Sequence, residues 1–175
     1  MMLISDEYRL LQSKLHENPA YGVASLVYAP LVAKHVRLTN ARTILDYGCG
    51  KGRLAIALQS HVPWSLKIFH YDPALPEYSG APAPCDFVAS IDVLEHIEPE
   101  YLETVLDDLQ RVTRSWGFFT VHCGPALKFL ADGRNAHLTQ QPPGWWLPKL
   151  AKRFTVEYSE PAYGGFWVFV RAKSA

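Results

Sequence analysis

Asp46 stands just ahead of three glycines in the run Leu45-Asp46-Tyr47-Gly48-Cys49-Gly50-Lys51-Gly52. Glycine lets a backbone take positive φ and come close to a ligand. Placed between the apolar Thr43-Ile44-Leu45 and Arg53-Leu54-Ala55-Ile56-Ala57-Leu58, the run reads as strand, tight turn and helix, an arrangement that holds nucleotides. The carboxylate selects among nucleotides. A pyrophosphate wants amide donors and no neighbouring anion, so Asp46 would repel it. A ligand carrying an ammonium and a sulfonium would be attracted instead. Asp72 follows Gly48 by 24 residues (48 to 72), close to the ~20 expected of an acid that hydrogen-bonds ribose hydroxyls. With Pro73 it also makes an Asp-Pro turn.

Histidine titrates near neutral pH and is the usual proton acceptor. His96, in Asp92-Val93-Leu94-Glu95-His96-Ile97, and His122, in His122-Cys123-Gly124, each follow an apolar run and are candidate bases. His137 lies in a polar insertion before Trp145-Trp146 and is a third candidate. Each also reads as a structural histidine. His16, His35, His61 and His70 show no clustering along the sequence. Tyr21 and one of Trp145 or Trp146 are the aromatic residues expected in a cleft. Cys49, Cys85 and Cys123 have no C-x-x-C spacing, so a reducing compartment and no metal centre are expected.

Apolar periodicity supplies the elements that must position these groups. Helices are expected over 3–17 and 23–37, the second kinked or restarted at Pro30. Residues 1–40 would form a helical cap, and 41–175 the ligand-binding unit, in one compact domain. Strands are expected over 43–47, 66–71, 86–91 and 116–122, with a helix over 52–60 and another starting at Glu98-Pro99-Glu100. Leu102, Val105, Leu106 and Leu109 give the latter its buried stripe. A short helix over 125–130 and one over 142–152, interrupted near Pro148, would follow. Residues 154–159 and 166–170 read as a hairpin. The fold class is α/β: an open, mainly parallel sheet with an antiparallel C-terminal strand. Its ligand sits at the carboxyl ends of the first strand and the strand at 86–91.

The glycine run resembles the first motif of class I S-adenosylmethionine-dependent methyltransferases. His70-Tyr71-Asp72-Pro73 resembles the end of their second strand, and Cys85 to Ile97 their fourth strand with its following loop. The resemblance implies a Rossmann-like fold and S-adenosylmethionine as cofactor. Gly48, Cys49, Gly50 and Gly52 would frame the methionine half, Asp46 would lie near its ammonium, and Asp72 with Pro73 would meet the ribose. Asp92, Val93 and Leu94 would contact the cofactor or line the adenine or acceptor wall, with Tyr21 nearby. Four prolines and a glycine from Pro73 to Pro84 inclusive exclude the family's third strand, so its adenine contact must come from elsewhere.

Lys plus Arg and Asp plus Glu number 17 each, so nothing draws the chain to nucleic acid or an anionic membrane. No apolar stretch approaches the ~20 residues that span a bilayer, and no signal-peptide pattern opens the chain. The reading is a cytoplasmic methyltransferase acting on an oxygen or nitrogen of a small-molecule or sugar-type acceptor. The alternatives are a non-catalytic cofactor-binding module and, less favoured, a nucleic-acid methyltransferase.

Overall fold

The computed structural model describes residues 2–173. Helices α1 (Asp6–His16) and α2 (Ala24–Thr39) precede β1 (Thr43–Tyr47), α3 (Arg53–Gln59), β2 (Lys67–Tyr71) and β3 (Cys85–Ile91). Then come α4 (Leu102–Val112), β4 (Thr113–His122), α5 (Pro143–Arg153), β5 (Phe154–Ala162) and β6 (Gly165–Ala172). The six strands lie in the order β2-β1-β3-β4-β6-β5. The β1–β2, β1–β3 and β3–β4 pairs are parallel, and β6 runs antiparallel to β4 and β5. This is the mixed Rossmann-like sheet with a C-terminal hairpin. Among the described residues, 73–84 form no strand, only a 3-10 turn at Pro76–Tyr78, so β2 is the sheet edge.

Both sheet faces are covered, and strand side chains alternate between them with period two. On β6, Trp167 and Phe169 join Ile44, Phe87, Phe118 and the buried residues of α2 and α3. Phe166, Val168 and Val170 join Leu45, Val88, Phe119, Val121 and the residues of α4 and α5. The α4 stripe of Leu102, Val105, Leu106 and Leu109 is buried there. α2 therefore belongs to the layer covering the sheet, through Ala29, Val32, Ala33 and Val36.

Four local expectations are corrected. α2 runs through Pro30, and α5 through Pro148, without a restart. Both prolines are exposed, as are Leu26 and Gly144 four residues before them, so water reaches the carbonyls left without a helical donor. Residues 125–130 form no helix. Asn135 donates from Nδ2 to Ala126 O and accepts from Ala126 N, both at 2.9 Å, which closes this stretch as a loop. α4 begins at Leu102, because Glu98 and Pro99 are taken into a turn in which Tyr101 N donates to Glu98 O at 2.9 Å.

Candidate active site

The carboxyl ends of β1, β2, β3 and β4 gather the predicted site groups other than Leu94, Trp145 and Trp146. Gly48, Gly50 and Gly52 all have positive φ, +76°, +50° and +65°. Space demands glycine as well at position 48, where a Cβ would collide with the Val93 side chain. The amides of the turn are already engaged. Gly48 N and Cys49 N donate to Tyr71 O at 2.7 and 3.0 Å, Gly52 N to Cys49 O at 2.9 Å, and Gly50 N to Asp72 Oδ2 at 2.9 Å. A phosphate would find few free donors here, whereas the carbonyls and carboxylates suit a cation.

Asp46 is buried, and its Oδ2 has no hydrogen-bond partner. Burial, reinforced by the nearby Asp72, pushes its carboxyl up to about 7. His70 Nδ1 lies 4.0 Å away, too long for a hydrogen bond, and burial pushes this imidazole down toward its neutral form. Asp72 Oδ1 accepts from Ala74 N at 2.9 Å while Oδ2 holds Gly50, so the Asp-Pro turn is real. Four lone-pair sites leave Asp72 capacity for further hydroxyls. Pro73 is half-buried in that turn. Cys49 is buried, its amide engaged and its thiol pushed up by burial.

Asp92 ends β3 with φ +51°, a conformation uncommon outside glycine but tolerated by aspartate. Its amide donates to Thr120 Oγ1 at 2.8 Å, and that hydroxyl donates back to Asp92 Oδ1. The turn aims Val93 over Gly48. Leu94 is corrected: it is fully buried in the core with Leu102, Val105 and Leu106, because the 3-10 turn Leu94–His96 carries this leucine beneath the sheet edge. Trp146 is likewise fully buried, and Trp145 lines a surface groove of 370 Å³ beside Pro99, Leu102 and Lys149.

The three candidate histidines meet. His96 and His137 have ring centroids 4.7 Å apart, and His137 and His122 4.9 Å. His96 Nδ1 faces Ala136 O at 2.7 Å, and His137 Nδ1 faces Gly124 O at 2.7 Å. Burial first, then the neighbouring His137, pushes His96 down to about 3, so it is neutral at physiological pH and a poor base. Burial lowers His137 too. Glu95, which immediately precedes His96 and is fully buried, accepts from His122 N at 2.9 Å through Oε1, while Oε2 has no partner. Burial, then Asp92, holds its carboxyl well above the usual range.

Sequence reasoning missed α1's contribution. Tyr8, Gln12 and His16 are spaced by four and share one helix face. Tyr8 OH donates to His96 O at 2.6 Å, Gln12 Nε2 donates to Tyr8 OH, and Tyr21 OH donates to Gln12 Oε1 at 3.3 Å. His16 Nε2 lies 3.9 Å from Asp72 Oδ2, and its Cε1 would be 3.0 Å from a Cβ at Gly50. Burial outweighs the pull of Asp72 and lowers its pKa, so His16 packs on Asp72 as a neutral ring. The Tyr21 ring bridges His16 at 5.0 Å and His96 at 6.1 Å, drawing an unbroken row of rings from Asp72 to His122. Lys51 and Arg53 clamp the segment after α1: Lys51 Nζ donates to Asn18 O and Arg53 Nη2 to Pro19 O at 2.8 Å. The i, i+4, i+8 polar stripe of α1 was the available signal. No helix among the described residues is long and apolar enough to cross a membrane.

A family model described as a methyltransferase domain matches residues 9–170. No curated protein matches the chain by sequence. Among solved structures, 1,6-didemethyltoxoflavin-N1-methyltransferase of Burkholderia thailandensis, bound to its substrate and S-adenosylhomocysteine, superposes with a TM-score of 0.67. The identity is 16%, over 99% of this chain and 92% of that one. Mitomycin 7-O-methyltransferase gives 0.69 at 18% identity, covering 93% of this chain and 60% of that one. Magnesium protoporphyrin IX methyltransferase of Synechocystis PCC 6803 gives 0.65 at 14%, covering 96% and 97%. At these identities the likeness is one of fold.

Proposed function

We propose that the chain, which belongs to the methyltransferase-domain family and takes its methyl group from S-adenosylmethionine, delivers that group to an oxygen or nitrogen of a small acceptor. The observation that carries the reading is the row of rings from Asp72 through Tyr21 to the histidine cluster, which joins a cation-favouring nucleotide turn to proton-handling groups. The cofactor supplies an activated methyl on a sulfonium, a leaving group that needs no covalent help. Asp46, with its bare Oδ2, receives the ammonium, and Asp72 receives the ribose hydroxyls. Gly48, Gly50 and Gly52 let the backbone meet the methionine half, and Asp92, Val93 and Tyr21 wall the cleft.

The cap over this cleft consists of α1 and residues 17–23. It is tied by Ser5 to Glu98, where Ser5 N and Oγ donate to the carboxylate at 2.9 and 2.6 Å. Its closure aligns acceptor and methyl and keeps water out, effects that contribute ~7–11 kcal/mol in well-oriented reactions. Proton removal falls to His122, which stands at the end of β4 between Gly124 and Gly164. Zero net charge gives nucleic acid no overall electrostatic attraction, which favours a small acceptor. The solved neighbours named for small-molecule methylation agree with that choice.

The test is a panel of hydroxylated and aminated small molecules incubated with protein and S-adenosylmethionine. Formation of S-adenosylhomocysteine with a matching O- or N-methyl product supports the reading. Methylation confined to carbon, or to oligonucleotides, overturns the acceptor assignment.

A further inference from the structure

One donor atom from each of Glu95, His96 and His137 lies within 4.8 Å of the other two. Hydrogen bonding shows which of their atoms are free to bind. A ring nitrogen facing a backbone carbonyl must carry the proton, so His96 Nδ1–H donates to Ala136 O and His137 Nδ1–H to Gly124 O. Both Nε2 atoms are left as lone pairs. Imidazoles that bind metals are held in this way, by a second partner that sets tautomer and orientation. On Glu95, Oε2 is the free oxygen: it is buried and has no partner. A bare carboxylate oxygen in the interior is costly, and a cation beside it removes the cost.

Every donor is itself fixed by the fold. Glu95 is held through Oε1 by His122 N and through its carbonyl by Thr139 N, each at 2.9 Å. His137 N donates to Asn135 Oδ1 at 3.0 Å, the same side chain that closes the loop on Ala126. Two imidazoles and one carboxylate suit first-row transition ions over calcium or magnesium, which prefer all-oxygen sites. Three protein ligands leave positions open for a reacting group, as catalytic zinc sites do.

We propose that Glu95, His96 and His137 hold a divalent first-row transition-metal ion, and that its open positions receive an oxygen of the methyl acceptor. The acceptor half rests on the methyltransferase reading; the metal half does not. A coordinated hydroxyl is more acidic than a free one. His122, whose ring neighbours that of His137, takes the hydroxyl proton. The oxygen then bonds to the methyl carbon as the carbon–sulfur bond breaks, and that electron pair stays on sulfur. The products are a methyl ether, a neutral thioether and a proton on His122 that returns to solvent. Two adjacent open positions favour acceptors with a hydroxyl beside a second oxygen, such as catechols, vicinal diols or hydroxy-carbonyl compounds.

The experiment uses the whole protein, stripped with a chelator and titrated with Co2+, whose visible bands report coordination by nitrogen and oxygen. One ion per chain is expected, displaced by Zn2+. Its affinity should fall more than tenfold in Glu95→Gln and in His137→Gln, and not in His61→Gln, which alters an exposed histidine outside the cluster. S-adenosylmethionine calorimetry on the same samples shows whether each variant keeps its fold and cofactor site. No cobalt bands at millimolar ion, with cofactor binding intact, overturns the metal site and leaves the methyltransferase reading standing. Cobalt binding that survives both cluster substitutions also overturns it. Binding as proposed, with equal turnover of catechol and monohydroxyl acceptors, overturns the acceptor half alone.

Discussion

Asp46 offers the sharpest quantitative test, because its carboxyl is pushed up to about 7 by burial and by Asp72. An ammonium received at Oδ2 requires the ionised form. The cofactor must therefore bear the cost of ionising Asp46, about RT ln(1 + 10^(7−pH)). That is on the order of 1 kcal/mol at pH 6 and less at pH 7. Affinity for S-adenosylmethionine should rise about fivefold across that unit, with about 0.9 proton released per cofactor at pH 6 and about 0.5 at pH 7. An α-amino group titrates near ~7.7–8.0, so the ligand keeps its charge through this window. Calorimetry in two buffers of different ionisation enthalpy reads both quantities. Asp46→Asn should bind more weakly at pH 7 and release no proton. The unliganded protein gives an independent check with its own sign. A carboxyl whose folded pKa lies above the unfolded ~3.8 binds more protons when folded, so stability falls as pH rises from about 4 to about 7. The upper bound is about 4 kcal/mol, and Asp46→Asn should recover part of it at pH 8 and nothing at pH 4. A flat affinity between pH 6 and 7, with no proton release in wild type, would refute the placement of the ammonium at Asp46.

The remaining predictions concern the turn and its cap. Gly48→Ala, forced to φ +76° against Val93, should destabilise the protein by about 1–3 kcal/mol and weaken cofactor binding. Adding Val93→Ala should restore the steric part and leave the φ part, which thermal melts of the single and double variants separate. His16→Ala should tighten S-adenosylmethionine binding several-fold, because the ring packs where the ribose must meet Asp72; weaker binding would make His16 a ligand contact instead. Asp72→Ala should weaken the cofactor by about 1–3 kcal/mol, a charge-assisted pair being lost, and calorimetry on a folded variant decides. Trp146→Ala should cost about 3–5 kcal/mol in a denaturant melt, since its side chain is fully buried.

The strands were legible because both sheet faces are buried and period-two apolar runs leave little freedom, as in Phe166 to Val170. The turn at 48–52 was legible because its conformation admits only glycine comfortably. The empty place of a third strand showed directly in the prolines between 73 and 84. What could not be read depended on contacts between distant segments. Leu94 fits a cleft wall equally well until α4 supplies Leu102, Val105 and Leu106 to pack on it. The missing helix at 125–130 turns on one side chain, Asn135, whose amide matches the backbone of Ala126 from nine residues away. His16 lay far in sequence from every motif, yet α1 brings it to Asp72.

Three of the buried carboxyl groups also argue for a direction of the chemistry. Asp46, Asp72 and Glu95 are all largely shielded from water, in a chain whose formal charges cancel overall. Among the described residues, the imidazoles beside them are lowered by burial at His16, His70, His96 and His137, so they supply no compensating positive charge. The carboxylate that a bound ammonium draws out at Asp46 therefore meets no neighbouring imidazolium, and low effective dielectric lengthens its reach to a sulfonium bound a few ångströms away. Methyl transfer removes that positive charge and leaves a neutral thioether in the same place. The carboxylate attracts the donor more strongly than the spent product, which favours exchange of one for the other after each turnover. Replacing Asp46 with asparagine should then narrow the affinity gap between S-adenosylmethionine and S-adenosylhomocysteine, since both keep the ammonium and only the donor carries the sulfonium. An unchanged gap would place the discrimination in the shape of the cleft, around Val93 and Tyr21, rather than in its charge.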